Sequence, residues 1–190
     1  MLLYIHGFNS SPLSDKGVVT AQYLAKHYPE LNFHQPQLPS DPKEAMTLLS
    51  AEVESAIKAG EKLAYIGSSL GGYFASYLAE TYGGKAVLIN PAVTPFELFD
   101  DFIGPQYNPY TDEHYQVLPE HKEQVATFNT EVILNPDRFL VLLQSGDEVL
   151  DYRQAVKKYH CCQLIIQPGG DHSFVGYDKQ MQSICQFLFS

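Results

Sequence analysis

Leu63-Ala64-Tyr65-Ile66-Gly67-Ser68-Ser69-Leu70-Gly71-Gly72-Tyr73 is the stretch on which the reading of this chain turns. A short apolar run, Leu63–Ile66, leads into a Gly/Ser turn, and an amphipathic stretch from Tyr73 to Glu80 follows. That order predicts a strand, a sharp turn and a helix. Gly67-Ser68-Ser69-Leu70-Gly71 fits G-x-S-x-G, a turn tight enough to force its serine toward positive φ and present the hydroxyl at a helix N-terminus. Side chains two positions either side would collide, which explains glycine at 67 and 71. A Gly/Ser-rich turn that only holds a helix against a sheet shares the bare pattern. The flanking strand and helix favour a nucleophile elbow, with Ser69 as nucleophile.

Outward from this point, apolar runs alternate with amphipathic ones. Strands are predicted near Leu2–Ile5, Asn32–Gln35, Leu63–Ile66, Ala86–Ile89, Phe139–Leu143 and Gln163–Ile166. Their near-continuous hydrophobicity is that of parallel strands covered on both faces. Ser14 is placed to cap a helix burying Val18, Ala21, Ala25 and Tyr28. Asp41-Pro42 with Glu44 starts another, with Ala45, Leu49, Val53 and Ala56 as its buried stripe and Gly60 at its end. A last helix is predicted over about 179–188. The pattern is a single three-layer α/β/α domain spanning residues 1–190, with a short, mostly parallel sheet of about six strands.

Residues 91–136 interrupt the alternation. They hold no convincing parallel strand but many aromatics, and are expected to form an inserted lid. Thr94-Pro95-Phe96-Glu97 reads as a capping box, and Gly104-Pro105 as the end of that helix. Phe96, Phe99 and Phe102 are expected to line a substrate pocket, although their spacing equally suits core packing.

Three further loops carry chemistry. His6-Gly7-Phe8 leaves the first strand, and the N–H groups of Phe8 and Leu70 are the expected oxyanion hole. His6 itself reads as a hydrogen-bonded loop residue. Asp147 leaves the strand ending at Gln144 and is the expected acid, with Asp151 its rival and Glu148 less favoured. His172, in Gly169-Gly170-Asp171-His172-Ser173-Phe174, is the one histidine beyond both that acid and the final strand. The order Ser69, Asp147, His172 is that of an α/β-hydrolase triad. The other histidines, His27, His34, His114, His121 and His160, read as solvated or partly buried surface residues, and Asp171 as a turn residue.

Composition narrows the rest. Of 190 residues, 45% are hydrophobic and 18% charged, and the formal net charge is −10, which disfavours nucleic acid and anionic membranes as partners. No run reaches transmembrane length, and the N-terminus has neither basic leader nor long apolar core, so a cytoplasmic location is expected. Cys161, Cys162 and Cys185 suggest neither disulfide framework nor zinc site, and no metal or organic cofactor is expected.

His6-Gly7-Phe8-Asn9-Ser10-Ser11-Pro12, Gly67-Ser68-Ser69-Leu70-Gly71-Gly72 and Gly169-Gly170-Asp171-His172-Ser173-Phe174 together resemble the small bacterial YqiA-type esterases of the α/β-hydrolase superfamily. The resemblance spans essentially the whole chain. It implies cofactor-free hydrolysis of small acyl esters or thioesters, with Ser69, Asp147 and His172 as triad and Phe8 and Leu70 at the oxyanion. It also implies that the two strands usually preceding the first are missing, leaving a sheet edge that needs protection. An amidase or acyltransferase would share this chemistry, and a binding protein could keep the fold without it. A binding protein would be expected to have lost a triad residue or an elbow glycine, and all are present.

Overall fold

Successive residues of a covered strand face opposite sides of a sheet, so each apolar run must supply two cores at once. A computed structural model describes residues 1–190 and places both sets. Six parallel strands are ordered β2-β1-β3-β4-β7-β8: β1 Leu2–Ile5, β2 Phe33–His34, β3 Ala64–Ser68, β4 Lys85–Ile89, β7 Phe139–Gln144 and β8 Gln163–Gln167. Leu3, Ile5, Tyr65, Leu88, Val141 and Leu143 pack toward helices α2 (Pro42–Lys58) and α3 (Leu70–Tyr82). Their neighbours Leu2, Tyr4, Ile66, Val87, Ile89 and Leu142 pack toward α1 (Asp15–His27) and α7 (Met181–Phe189). The three-layer α/β/α reading therefore stands. All strand ends that matter for chemistry emerge at the carboxyl edge.

The sheet edge beside β1 is β2, which is only two residues long, and His34 at its end pairs with Glu52 at 2.6 Å. A short strand bearing ionisable side chains is a poor template for edge-to-edge pairing, which supplies the required protection.

Several local expectations are met and others corrected. Asp41 Oδ1 accepts the N–H groups of Lys43 and Glu44 at 2.8 and 2.9 Å, and the predicted stripe of α2 is buried. Helix α1, by contrast, buries Gly17, Thr20 and Leu24 rather than the predicted face, and Ala25 is exposed. The Thr20 hydroxyl satisfies itself on the Lys16 carbonyl (2.7 Å) and the Tyr177 hydroxyl (2.8 Å), so a polar residue can hold the inner face.

Residues 91–136 lie between β4 and β7. The helix predicted there is a single turn, α4 (Pro95–Leu98), continued by a 3-10 turn over Phe99–Asp101. Thr94 and Glu97 bond each other at 2.9 Å instead of forming the reciprocal backbone cap. Gly104-Pro105 does not end a helix but opens an antiparallel hairpin, β5 (Gly104–Asn108) with β6 (Glu113–Val117). Helix α5 (Pro119–Ala126) then packs against α4 and α2. His121 on α5 is a further correction. It is 6% exposed, accepts the Leu118 N–H at Nδ1 and lies 3.4 Å from Asp41. No helix is long and apolar enough to cross a membrane.

Among the glycines, the tightest approach to another backbone lies under the elbow. A Cβ on Gly71 would stand 2.1 Å from the Ile5 carbonyl oxygen, and one on Gly67 would stand 2.2 Å from the Gly71 oxygen. Gly71→Ala is therefore a test of sign. Helix propensity alone predicts stabilisation of about 1 kcal/mol. The approach predicts destabilisation of about 1–3 kcal/mol or more, and urea unfolding of the variant should show the loss.

Candidate active site

Ser69 caps α3 with φ 56 and ψ −122, the strained turn that the motif demands. The strain is held by the backbone: Ser69 N–H donates to Ile89 O at 3.0 Å, and its carbonyl accepts from Gly72, Tyr73 and Ala92. Its Oγ lies 3.0 Å from His172 Nε2, and His172 Nδ1 lies 2.8 and 3.0 Å from the two oxygens of Asp147. The structure thus brings Ser69, His172 and Asp147 into one line. The rival Asp151 is elsewhere, capping α6 (Tyr152–Lys158) and forking with the Arg153 guanidinium. Glu148 is nearby in another capacity, accepting the His172 backbone N–H at 3.0 Å.

The Asp147 side chain is 2% exposed. Burial alone would raise its pKa, but hydrogen bonds from His172 and from the Leu150 and Val149 N–H groups, with the His172 charge, hold it below the ordinary aspartate value. Those bonds place the acceptor pair without requiring a second cation. His6 is the reverse case. Burial pushes its pKa down, its Nε2 accepts the Leu38 N–H at 3.0 Å and Nδ1 lies 2.9 Å from Gly7 O, so it serves as a neutral tie at the end of β1.

Above Ser69, Gly7 lies so near that a Cβ there would stand 3.2 Å from the Ser69 Cβ. The next residue, Phe8, donates its N–H to no acceptor within the protein. Leu70 opens α3, where first-turn N–H groups lack intrahelical acceptors. Both expected donors are therefore available beside the hydroxyl.

Two amides that sequence reading passed over hold the histidine loop. Asn90, buried and at φ 39, donates to the carbonyls of Asp171 and His172 at 3.0 and 3.3 Å and accepts the Gln144 N–H at 3.0 Å. Gln144 Oε1 accepts from Asp171 and Val175, while its Nε2 donates to Val175 O and to Gln167 Oε1. Gln144 ends β7 and Asn90 directly follows β4, the one signal that singles them out in sequence: a polar side chain closing an apolar run. The acid and histidine loops also touch directly, since Gly146 N–H donates to Gly169 O at 2.8 Å and a Cβ on Gly146 would meet Gly170 O at 2.5 Å. Of five non-glycine residues at positive φ, four (Asn9, Ser69, Asn90 and Phe174) belong to this constellation. Strained backbone of this kind persists only where the surrounding structure over-determines it.

An apolar cavity of about 230 Å³ opens on Ser69 and His172. Phe99 and Phe102 line it, with Leu98 and the pair Val149-Leu150. Phe96 does not line it but packs against the main core, so its expected substrate role is corrected. The 96–99–102 spacing presupposed a continuous helix, and the chain tightens to 3-10 at Phe99. Phe102 meets the Phe8 ring edge-on at 5.4 Å. The hairpin grips the Phe8 loop too: Tyr115 donates to Asn9 Oδ1 at 2.7 Å and Asn108 to Ser10 O at 3.0 Å. No group of three or more His, Cys, Asp or Glu side chains is arranged to hold a metal ion.

Comparison with known proteins adds kinship. The profile of an uncharacterised protein family, UPF0227, matches residues 1–189. The chain is 26% identical to a UPF0227 protein of Citrobacter koseri and 28% to one of Yersinia pseudotuberculosis, each over 191 residues and 98% of both chains. It is similar in fold to Est1E from Butyrivibrio proteoclasticus (TM-score 0.70, 17% identity, 98% of this chain and 85% of that one). A monoacylglycerol lipase of Paleococcus ferrophilus gives TM-score 0.67 at 14% identity, covering 98% and 93%. At such identities the structural likeness establishes the α/β-hydrolase fold.

Two outcomes test this geometry without any substrate. Asn90→Ala removes three bonds from a buried site, at a cost of about 1–3 kcal/mol for each group left unpaired. Hydrogen exchange should rise in a peptide spanning 168–176 before it rises in β7. The lowered Asp147 pKa means that its contribution to stability is present above the ordinary aspartate range and lost as pH falls through the folded-state value. The stability difference between wild type and Asp147→Asn, followed by urea unfolding, should therefore narrow on acidification.

Proposed function

The chain belongs to the YqiA-like uncharacterised family UPF0227, and from that premise and the site's geometry we propose that it is a serine hydrolase cleaving carboxylic esters or acyl thioesters through an acyl-enzyme. One observation carries the reading: Ser69 Oγ, His172 Nε2, His172 Nδ1 and Asp147 form an unbroken hydrogen-bonded line at the base of an apolar cavity.

Asp147 accepts a hydrogen bond from Nδ1–H and so holds the proton on that nitrogen, which leaves the Nε2 lone pair directed at the serine. His172 takes the Ser69 proton as Oγ attacks the carbonyl carbon. The oxyanion that forms is received by the N–H groups of Phe8 and Leu70, aided by the positive end of α3. His172 then returns the proton to the leaving oxygen or sulfur. Water, activated by the same imidazole, releases the acid. The apolar cavity takes the acyl chain, with Phe99 fixed in its wall and the more exposed Phe102 closing it against Phe8.

Ser69→Ala should abolish labelling by a fluorophosphonate probe and lower kcat by at least ~10³-fold, whereas Ser68→Ala should cost far less. Labelling at Ser68, located by mass spectrometry, would overturn the assignment. Asp147→Asn should slow turnover by about 10⁴-fold at neutral pH by favouring the wrong imidazole tautomer. Asp151→Asn should leave it near wild type, because asparagine caps a helix about as well.

The acyl cavity is tested by chain length. Phe102→Ala should change the preference among esters of graded acyl length, by up to ~1–3 kcal/mol per methylene-scale contact, more than it changes activity on acetyl esters. Phe96→Ala should instead lower the melting temperature and leave the preference unchanged.

A further inference from the structure

A second cleft, of about 440 Å³, also reaches the reacting atoms, and shares with the apolar cavity only Phe8, Ser69 and His172. A carbonyl seated over Ser69 therefore has two differently lined directions in which to extend. The walls of this cleft mix apolar side chains such as Val19 and Phe174 with polar ones, and the charges among them are of both signs. Lys16, in the first turn of α1, brings an ammonium that donates to Ser173 O at 2.9 Å and keeps further N–H donors. Asp15 and Asp178 bring carboxylates, and Ser10, Ser173 and Tyr110 bring hydroxyls. Tyr110 comes from the turn of the inserted hairpin, so the same insertion that shapes the acyl cavity also reaches this one.

We infer that this cleft is the leaving-group subsite and that it selects a neutral, hydroxyl-rich alcohol of the glycerol or sugar class; the inference rests on the ester-hydrolase reading above. An anionic leaving group meets Asp15 and Asp178, and a net charge of −10 gives it no attraction from afar. A cationic one meets Lys16. An alkyl alcohol leaves the ammonium, the carboxylates and the hydroxyls without partners as it displaces their water. A polyol offers donor and acceptor at every oxygen and so satisfies both signs at once. In the reaction, the bond from Ser69 Oγ to the acyl carbon forms and the bond from that carbon to the alcohol oxygen breaks. The serine proton passes through His172 Nε2 to that oxygen, and the neutral polyol departs. Water then replaces serine on the acyl carbon and frees the carboxylic acid.

The test holds the acyl group fixed as butyryl and varies the alcohol: ethanol, glycerol, glucose, choline and glycolate. Wild-type protein should give kcat/KM for the glycerol and glucose esters at least ~10-fold above the ethyl, choline and glycolate esters, as expected where a site is built to hydrogen-bond hydroxyls. Lys16→Met should bring the glycerol-to-ethyl ratio several-fold closer to one, and Tyr110→Phe should move it the same way. The wild-type ranking needs no variant to fold. A ratio near one in wild type, or a preference for the ethyl, choline or glycolate ester, overturns the subsite. So does a Lys16→Met variant that loses both activities equally while melting as wild type does. If the ratio fails but Ser69 is labelled by the fluorophosphonate and the ethyl ester is hydrolysed, the hydrolase reading stands and this subsite alone falls. If no ester is cleaved and nothing is labelled, the hydrolase reading falls and takes the subsite with it.

Discussion

The backbone of Gly71 packs against the carbonyl oxygens of Ile5 and His6, with a hypothetical Cβ at 2.1 and 2.6 Å from them. This approach ties the N-terminus of α3 to the carboxyl end of β1, and so fixes how far the Phe8 loop can lie from Ser69. Any side chain at 71 separates the two, and the expected oxyanion donors separate with them. The elbow bears its strain because the rest of the sheet over-determines it: one N–H bond from Ser69 to β4 and three bonds to its carbonyl leave no cheaper conformation.

The histidine loop is held differently. Phe174 buries its ring in the core below, but the glycines on the other side of His172 leave that end of the loop free. What restrains it is a pair of buried amides, Asn90 at the end of β4 and Gln144 at the end of β7, which take up backbone groups from Asp171, His172 and Val175. Parallel strands finish at one edge, so residues that end neighbouring strands stand side by side there. The fold thereby converts sequence separations of 54 and 27 residues into direct hydrogen bonds. These contacts restrain the loop in the single orientation that the proposed base would need.

The insertion between β4 and β7 couples the two halves of the proposed site. Its α4 segment walls the apolar cavity, its hairpin turn reaches the second cleft, and between them Tyr115 and Asn108 bind the loop that carries Phe8. The surface that would choose the acyl chain is thus mechanically joined to the surface that would receive the oxyanion.

The parallel sheet, the elbow and the chain order of the three proposed triad residues were legible in the sequence. Their causes are local: continuous apolar runs, glycines where a Cβ cannot fit, and polar groups at strand exits. Asp147 could be preferred over Asp151 on position alone, since a residue leaving the strand differs from one placed to cap the next helix. The hairpin was not legible because its half-buried face on β5 is Gly104, Gln106 and Asn108, polar or without a side chain, so hydropathy carried no period of two. Thr20 misled in the same way, as a buried polar residue satisfied by the distant Tyr177. Phe96 was misassigned because pocket and core share one spacing until the helix tightens. Local sequence determined which segments could form and which side chains could react. Only the tertiary structure decided which polar groups find partners 50 to 160 residues away, because a hydrogen bond of that span leaves no mark on the hydrophobic pattern of either segment.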